Sequence, residues 1–153
     1  MNRAPDRFLR MTRRYKAPIE RVYNAWLDPR VTRTWLFTSS ASDSNSTEID
    51  ARVGGKWTIT DVREGITYTA LGEYLELDPP HRIVFTFAMP QFSPNSDTIT
   101  VELSQDGDET VMVFTQSGGD IASELENLPE DETQTSEHGW NLMFVALGHA
   151  VEA

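Results

Sequence analysis

Cysteine is absent from these 153 residues. That excludes a disulfide framework, a thiolate nucleophile and cysteine-ligated zinc or iron–sulfur centres. Histidine is scarce: His81, His138 and His149 are the full set. The last two are eleven positions apart, roughly 16 Å along a helix, so they cannot share one metal whose imidazole ligands each approach to about 2 Å. No H-E-x-x-H, G-x-S-x-G or G-x-x-x-x-G-K-[ST] pattern occurs, and Gly54-Gly55-Lys56 reads as a turn rather than a phosphate cradle. No catalytic residue, metal or cofactor is expected. Long apolar runs are missing too. None approaches the roughly 20 residues that a spanning helix needs, and the arginine-rich N-terminus has no apolar signal segment. A cytoplasmic chain without membrane insertion is the expectation.

Basic residues also run out. All 13 Lys and Arg fall at or before Arg82, whereas 13 of the 24 Asp and Glu lie beyond it. The net charge of −11 leaves no electrostatic footprint for nucleic acid, so no such partner is expected. What is present suffices for a core. With 39% apolar residues and a length typical of one domain, the chain can bury on the order of 70% of its unfolded surface. No linker or repeat divides it, and residues 1–153 read as one domain.

The hydrophobic period orders the elements. Phe8–Tyr15 alternates as a strand. Pro18 suits the first turn of a helix, on which Ile19, Val22, Tyr23, Trp26 and Leu27 form an apolar stripe. Asp28-Pro29 ends that helix or turns it into a second short one carrying Val31 and Trp35. Ser39–Thr47 has the composition of an exposed loop. The period then falls to two. Strands are predicted over Glu48–Val53 and Lys56–Val62, joined at Gly54-Gly55, and then over Thr67–Leu77, His81–Met89, Asp97–Ser104 and Thr110–Ser117. Asp120–Glu137, with seven acids, reads as a loop or short helical turn. Trp140, Met143, Phe144, Leu147 and Val151 mark one face of a closing helix about 28 Å long if it starts near Thr133. The result is an α+β fold: a seven-stranded antiparallel sheet around a long C-terminal helix, with two short helices after the first strand.

Five segments in this order carry a resemblance. They are Ala17-Pro18-Ile19-Glu20-Arg21-Val22-Tyr23-Asn24-Ala25-Trp26, Asp28-Pro29 with Trp35, Ile49 to Trp57 with its D-x-R-x-G-G-x-W core, Gly72 to Phe85 with its Leu-Glu and Pro-Pro pairs, and His138-Gly139-Trp140. Together the chain resembles the START-like (SRPBCC) superfamily of helix-grip proteins, and within it the activator of heat shock protein 90 ATPase homologue family. The resemblance implies a cavity between sheet and closing helix that takes a small apolar ligand, aromatic or lipid-like. It also implies two alternatives: a cochaperone-like module with a chaperone partner, and a polyketide cyclase or aromatase-like enzyme. The separate N-terminal domain of the eukaryotic activators has no counterpart in this sequence. The Asp120–Thr135 segment is longer and more acidic than the family pattern, and Ser39–Thr47 has little family character.

Alternation places Trp57, Ile59 and Asp61 on one face of a strand, as it does Phe85 with Phe87, and Met112, Phe114 and Gln116. Facing Trp140, Met143 and Phe144, with Trp35 and Tyr68 nearby, they would make an aromatic and methionine chamber, or simply a filled core. Asp61, Tyr68, Gln116 and His138 are its candidate polar groups. Asp50 and Arg52 read as a structural ion pair, and Gly139 as room for the Trp140 indole. The first strand, expected beside the last, should bring Arg10, Arg13 and Arg14 against the acidic half. The acids of Asp120–Glu137, expected near the cavity mouth, should favour a neutral or cationic apolar ligand. The sequence assigns no oligomeric state.

Overall fold

A computed structural model describes residues 7–38 and 42–152. In chain order its elements are β1 (Phe8–Tyr15), α1 (Ile19–Ala25), α2 (Pro29–Thr32), β2 (Ser44–Ile49), β3 (Lys56–Arg63), β4 (Ile66–Asp78), β5 (Arg82–Phe87), β6 (Asp97–Asp106), β7 (Glu109–Ser117), α3 (Gly119–Glu126), a 3-10 turn (Glu132–Gln134) and α4 (Ser136–Val151). The strands form one antiparallel sheet in the order β1-β7-β6-β5-β4-β3-β2. The expected α+β helix-grip architecture is therefore observed. Leu9, Met11 and Tyr15 of β1, Ile99 and Val101 of β6, and Met112 and Phe114 of β7 are buried, as are Trp140, Phe144, Leu147 and Val151 of α4. The Tyr15 hydroxyl donates to the Phe144 carbonyl at 2.9 Å, fastening α4 to the first strand. Burial pushes that phenol well above its ordinary pKa.

Strand ends shift by one or two residues from the sequence reading, and α2 closes at Thr32, so Trp35 lies beyond the helix expected to carry it; three further differences are larger. The strand expected over Glu48–Val53 runs instead over Ser44–Ile49. The Asp50 N–H makes the last bond to β3, at the Lys56 carbonyl, and the chain then turns: Arg52 N–H donates to the Asp50 carbonyl, Arg52 Nε to its carboxylate at 2.8 Å, and Gly54, at φ +83, hands its N–H to the Tyr74 carbonyl. The Ser, Asn and Thr residues that resembled a loop belong to an edge strand, where polar side chains face water. Residues 39–41 of the expected loop lie outside the described residues. Within Asp120–Glu137, α3 forms where a loop or short turn was expected. The buried Asp97 carboxylate, brought from β6, accepts the N–H groups of Asp120 at 3.3 Å and Ile121 at 3.0 Å. Finally, α4 starts after Thr135 rather than near Thr133, because Asp131 draws the Thr133 N–H and hydroxyl into their own turn. The Thr135 hydroxyl then caps α4 by accepting from the His138 N–H at 3.1 Å. The helix is 16 residues, hence roughly 24 Å long.

Arginine pairing follows the strand order in part. Arg14 bridges Asp106 at 2.9 Å and Glu109 at 3.1 Å. Arg13 goes instead to Asn141 at 2.9 Å, and Arg10 lies over the Phe8 ring. Among the described residues no helix is long and apolar enough to cross a membrane.

Two glycines have opposite surroundings. A Cβ on Gly72 would stand 1.7 Å from the Thr86 carbonyl oxygen, the same oxygen that accepts the Trp57 indole N–H at 3.2 Å. A Cβ on Gly139 would meet nothing within 4 Å. Gly139 therefore does not make room for the Trp140 indole, contrary to the expectation from sequence. Gly72→Ala is predicted to lower stability by about 3 kcal/mol through forced separation of β4 and β5. Gly139→Ala should raise it by about 0.5–1 kcal/mol through helix propensity. Urea midpoints of the two variants and the parent protein test both signs.

Candidate functional site

Between sheet and α4 the interior is aromatic. Phe114 lies 4.5 Å from Trp140 and 5.1 Å from Phe144, ring centre to ring centre. Trp35, donating its indole N–H to the Ala25 carbonyl at 2.9 Å, packs edge-on against Trp26 at 4.7 Å. Trp57 meets Phe85 edge-on at 5.6 Å. Of the residues expected to line a chamber, Trp35, Met112, Phe114 and Phe144 are wholly enclosed by protein. Trp57, Ile59 and Phe85 border a void of about 10 Å³ with Trp26 and Tyr74, the room of a single water. The Trp26 indole N–H is buried without a partner among the described residues.

The candidate polar groups are not convergent. Asp61 does face inward and is buried, but its carboxylate is taken by Arg63 Nε, by the Ser42 hydroxyl at 2.9 Å and by the Asn45 amide at 3.3 Å. Burial alone would raise its pKa. Hydrogen bonds from Arg63, Ser42 and Asn45, with the Arg63 charge, outweigh that and hold it below the usual carboxylate value. It is a structural anion at neutral pH rather than a proton donor. Gln116 is likewise committed at both ends: its oxygen accepts the Trp140 indole N–H and its nitrogen donates to Asp97, each at 2.9 Å. Tyr68 sits half-buried on β4 beneath the Arg63 guanidinium, at 5.1 Å. His138 lines a separate cleft of about 510 Å³ with Leu9, Arg13 and Glu124.

Two further clefts flank the aromatic interior. One, of about 700 Å³, lies between the α2 end and α4 and is lined by Arg33, Phe37, Arg63, Leu142, Met143 and Ala146, among others. The second, of about 470 Å³, lies against α3 and carries Phe87, Met89, Phe92 and Gln116 together with Asp97, Asp120 and Glu124. The acids of the Asp120–Glu137 segment thus line the second cleft and the His138 cleft. The cleft of about 700 Å³ is lined, among the described residues, by two arginines and no carboxylate. Among the described residues, Arg63 is paired with Asp61 and Arg33 has no ion-pair partner.

Phe37 is the residue that sequence reasoning missed. Its ring is near-parallel to Trp57, at 5.9 Å and 4°, and to Phe87, at 5.0 Å and 15°, and meets Trp140 edge-on with ring centres 5.3 Å apart. Its backbone is left-handed at φ +51, which costs a bulky residue on the order of 1–3 kcal/mol. Its N–H donates to the Met143 thioether at 3.1 Å. Trp57, Phe87, Trp140 and Met143, four of the expected site residues, are thereby gathered around one side chain. The available signal was the Trp35-Leu36-Phe37 run, too apolar to precede a solvated serine-rich loop.

This is the helix-grip class of α+β fold. A family model described as "Activator of Hsp90 ATPase homolog 1-like protein" matches residues 16–152, and the chain belongs to that family, within the START-like superfamily. Among solved structures, the protein CV1439 from Chromobacterium violaceum is similar at 27% identity and a TM-score of 0.79, covering 95% of this chain and 97% of that one. A Staphylococcus epidermidis protein shares the fold at 19% identity and a TM-score of 0.77, covering 97% and 92%. Protein Ms6760 from Mycobacterium smegmatis does so at 17% and 0.73, covering 93% and 88%. The chain matches no curated protein.

The Asp61 contacts yield a pH prediction. Its folded pKa lies below the ordinary value of 3.8, so its contribution is complete above that value and fades as pH falls through the depressed one. Asp61→Asn should cost about 1–3 kcal/mol at pH 7, and the difference from the parent protein should shrink below pH 3. Denaturant midpoints at pH 7 and pH 2.5 measure it; a constant difference would show that ionisation is not the source.

Proposed function

We propose that the chain, read as one START-like domain of residues 1–153 working in the cytoplasm, binds a small apolar ligand, aromatic or lipid-like, between the sheet and α4. The observation that carries this reading is the cleft of about 700 Å³ lined by Phe37 and Met143 among others, where the Phe37 ring packs against the aromatic interior. Its volume falls within the range of small-molecule sites, and an apolar wall with a few polar groups at the rim is their usual make-up. On this reading Trp57, Phe87, Trp140 and Met143 border the ligand. Trp35, Ile59, Phe85, Met112, Phe114 and Phe144 support those walls from behind. Asp61, Gln116 and Tyr68 hold neighbouring side chains in place. A polyketide cyclase would need inward polar groups near one another, and Asp61, Gln116 and His138 are dispersed and mostly committed.

A second reading, a surface that docks a chaperone, draws support from the family description and from Leu142 and Val145. These two side chains stand 58% and 54% exposed on the outer face of α4. Native mass spectrometry of the purified protein, with thermal shifts against a panel of apolar compounds, separates the readings. A ligand at a hundred times its Kd contributes about 2.7 kcal/mol, or roughly 5–10 °C for a chain of this size. A co-purifying mass or a shift of that order is expected. If no compound binds and no mass is retained, ligand binding is wrong. The docking reading then requires a change in chaperone ATPase rate that Val145→Ser, outside the cleft, abolishes.

A further inference from the structure

We propose that the Phe37 ring is a built-in occupant of the ligand seat, and that the ligand is a flat aromatic anion whose ring replaces it while its charge lies against Arg33. The proposal rests on the reading of this chain as a binder of apolar ligands and names the ligand class.

The walls of the seat and its occupant are held very differently. Trp57 stands on β3 with its indole N–H bonded to the Thr86 carbonyl at 3.2 Å. Phe87 ends β5. Trp140 is fixed by Gln116, itself bonded to the buried Asp97. Phe37 follows a four-residue helix, carries a left-handed backbone at φ +51, is only partly buried, and is latched by one N–H to a thioether, a weak acceptor. Swinging the ring out gives up its two stacked contacts and the edge-on one to Trp140, whereas moving Trp57 or Trp140 would also break a side-chain hydrogen bond. The inserted shape is also specific. Two aromatic planes lie within 15° of the Phe37 ring and a third meets it edge-on, so its surroundings suit a planar ring.

The position of Phe37 adds to this. Its ring lines the arginine-bearing cleft, and the Phe87 ring stacked 5.0 Å away lines the acidic one. The pair is thus a partition between two clefts of opposite charge. Among the described residues, a ligand entering from the larger cleft meets Arg33 and Arg63 and no carboxylate. With Arg63 already engaged by Asp61, Arg33 is the cation left to select for a negative group. Because a seat filled by its own side chain is open only part of the time, apparent affinity falls by the open fraction, and removing Phe37 lifts that penalty.

The test uses 2-naphthoate, with 2-naphthylmethylamine as the oppositely charged control, on full-length protein by calorimetry. Phe37→Ala is expected to bind naphthoate at least tenfold more tightly than the parent protein. Arg33→Gln should weaken naphthoate at least threefold and leave the amine unchanged. Since any emptied core position can admit an aromatic, displacement is read in the parent protein labelled with 4-fluorophenylalanine. The fluorine resonance absent from Phe37→Leu should move toward its solvent-exposed position as naphthoate saturates. Naphthoate binding with that resonance unmoved would overturn the exchange of rings and leave apolar-ligand binding intact. Equal affinity for the amine would overturn the choice of an anion. If neither protein binds naphthoate and the wider panel of apolar compounds also fails, both readings fall.

Discussion

A seven-stranded sheet with one buried face presents more apolar surface than a single sixteen-residue helix can cover, and the rest of the molecule answers to that shortfall. Burial of apolar area is the main favourable term in folding, so the uncovered half of the face must be closed from elsewhere. Trp26 and Trp35 close it from the α1–α2 segment, packing toward Phe85 and Phe144. Phe37 closes what remains. The helices after the first strand are therefore part of the core wall, and the residue where they end is the one most exposed to competition from another apolar body.

Much of this was legible in the sequence, and the physical reason is period. Alternation over Phe8–Tyr15 and Lys56–Val62, and the three-to-four spacing of Trp140, Phe144, Leu147 and Val151, are local patterns that burial imposes directly. The inward Asp61 and the Asp50–Arg52 pair followed from the same parity. What escaped was non-local. Nothing around Asp120 announces a helix, because the carboxylate that caps it comes from Asp97, on another strand. Edge polarity at Ser44–Ile49 mimics a loop. A left-handed phenylalanine has no sequence signature, so the centre of the candidate site was invisible although four of its walls were named.

Charge changed its meaning between sequence and structure. A chain of net charge −11 would be expected to repel anions everywhere. Folding gathers many of the C-terminal carboxylates onto α3, the following turn and the β6–β7 hairpin turn, and leaves Arg33 and Arg63 beside the largest of the described clefts. Charges farther from an opening than a Debye length of about 8–10 Å are largely screened, so local composition rather than the total decides what enters. Membership of the family fixes the scaffold.

Asp97 has one more consequence. A helix of eight residues is too short to persist in water by itself, and α3 has Gly118 rather than a capping side chain at its start, set at φ +137 against the Asp97 carboxylate. Its first turn is completed by a strand more than twenty residues earlier in the chain. The helix and the β6–β7 pair accordingly form one cooperative unit: the amides of α3 take their protection from the sheet, and the acidic wall of the second cleft is as durable as the strand that supplies its cap.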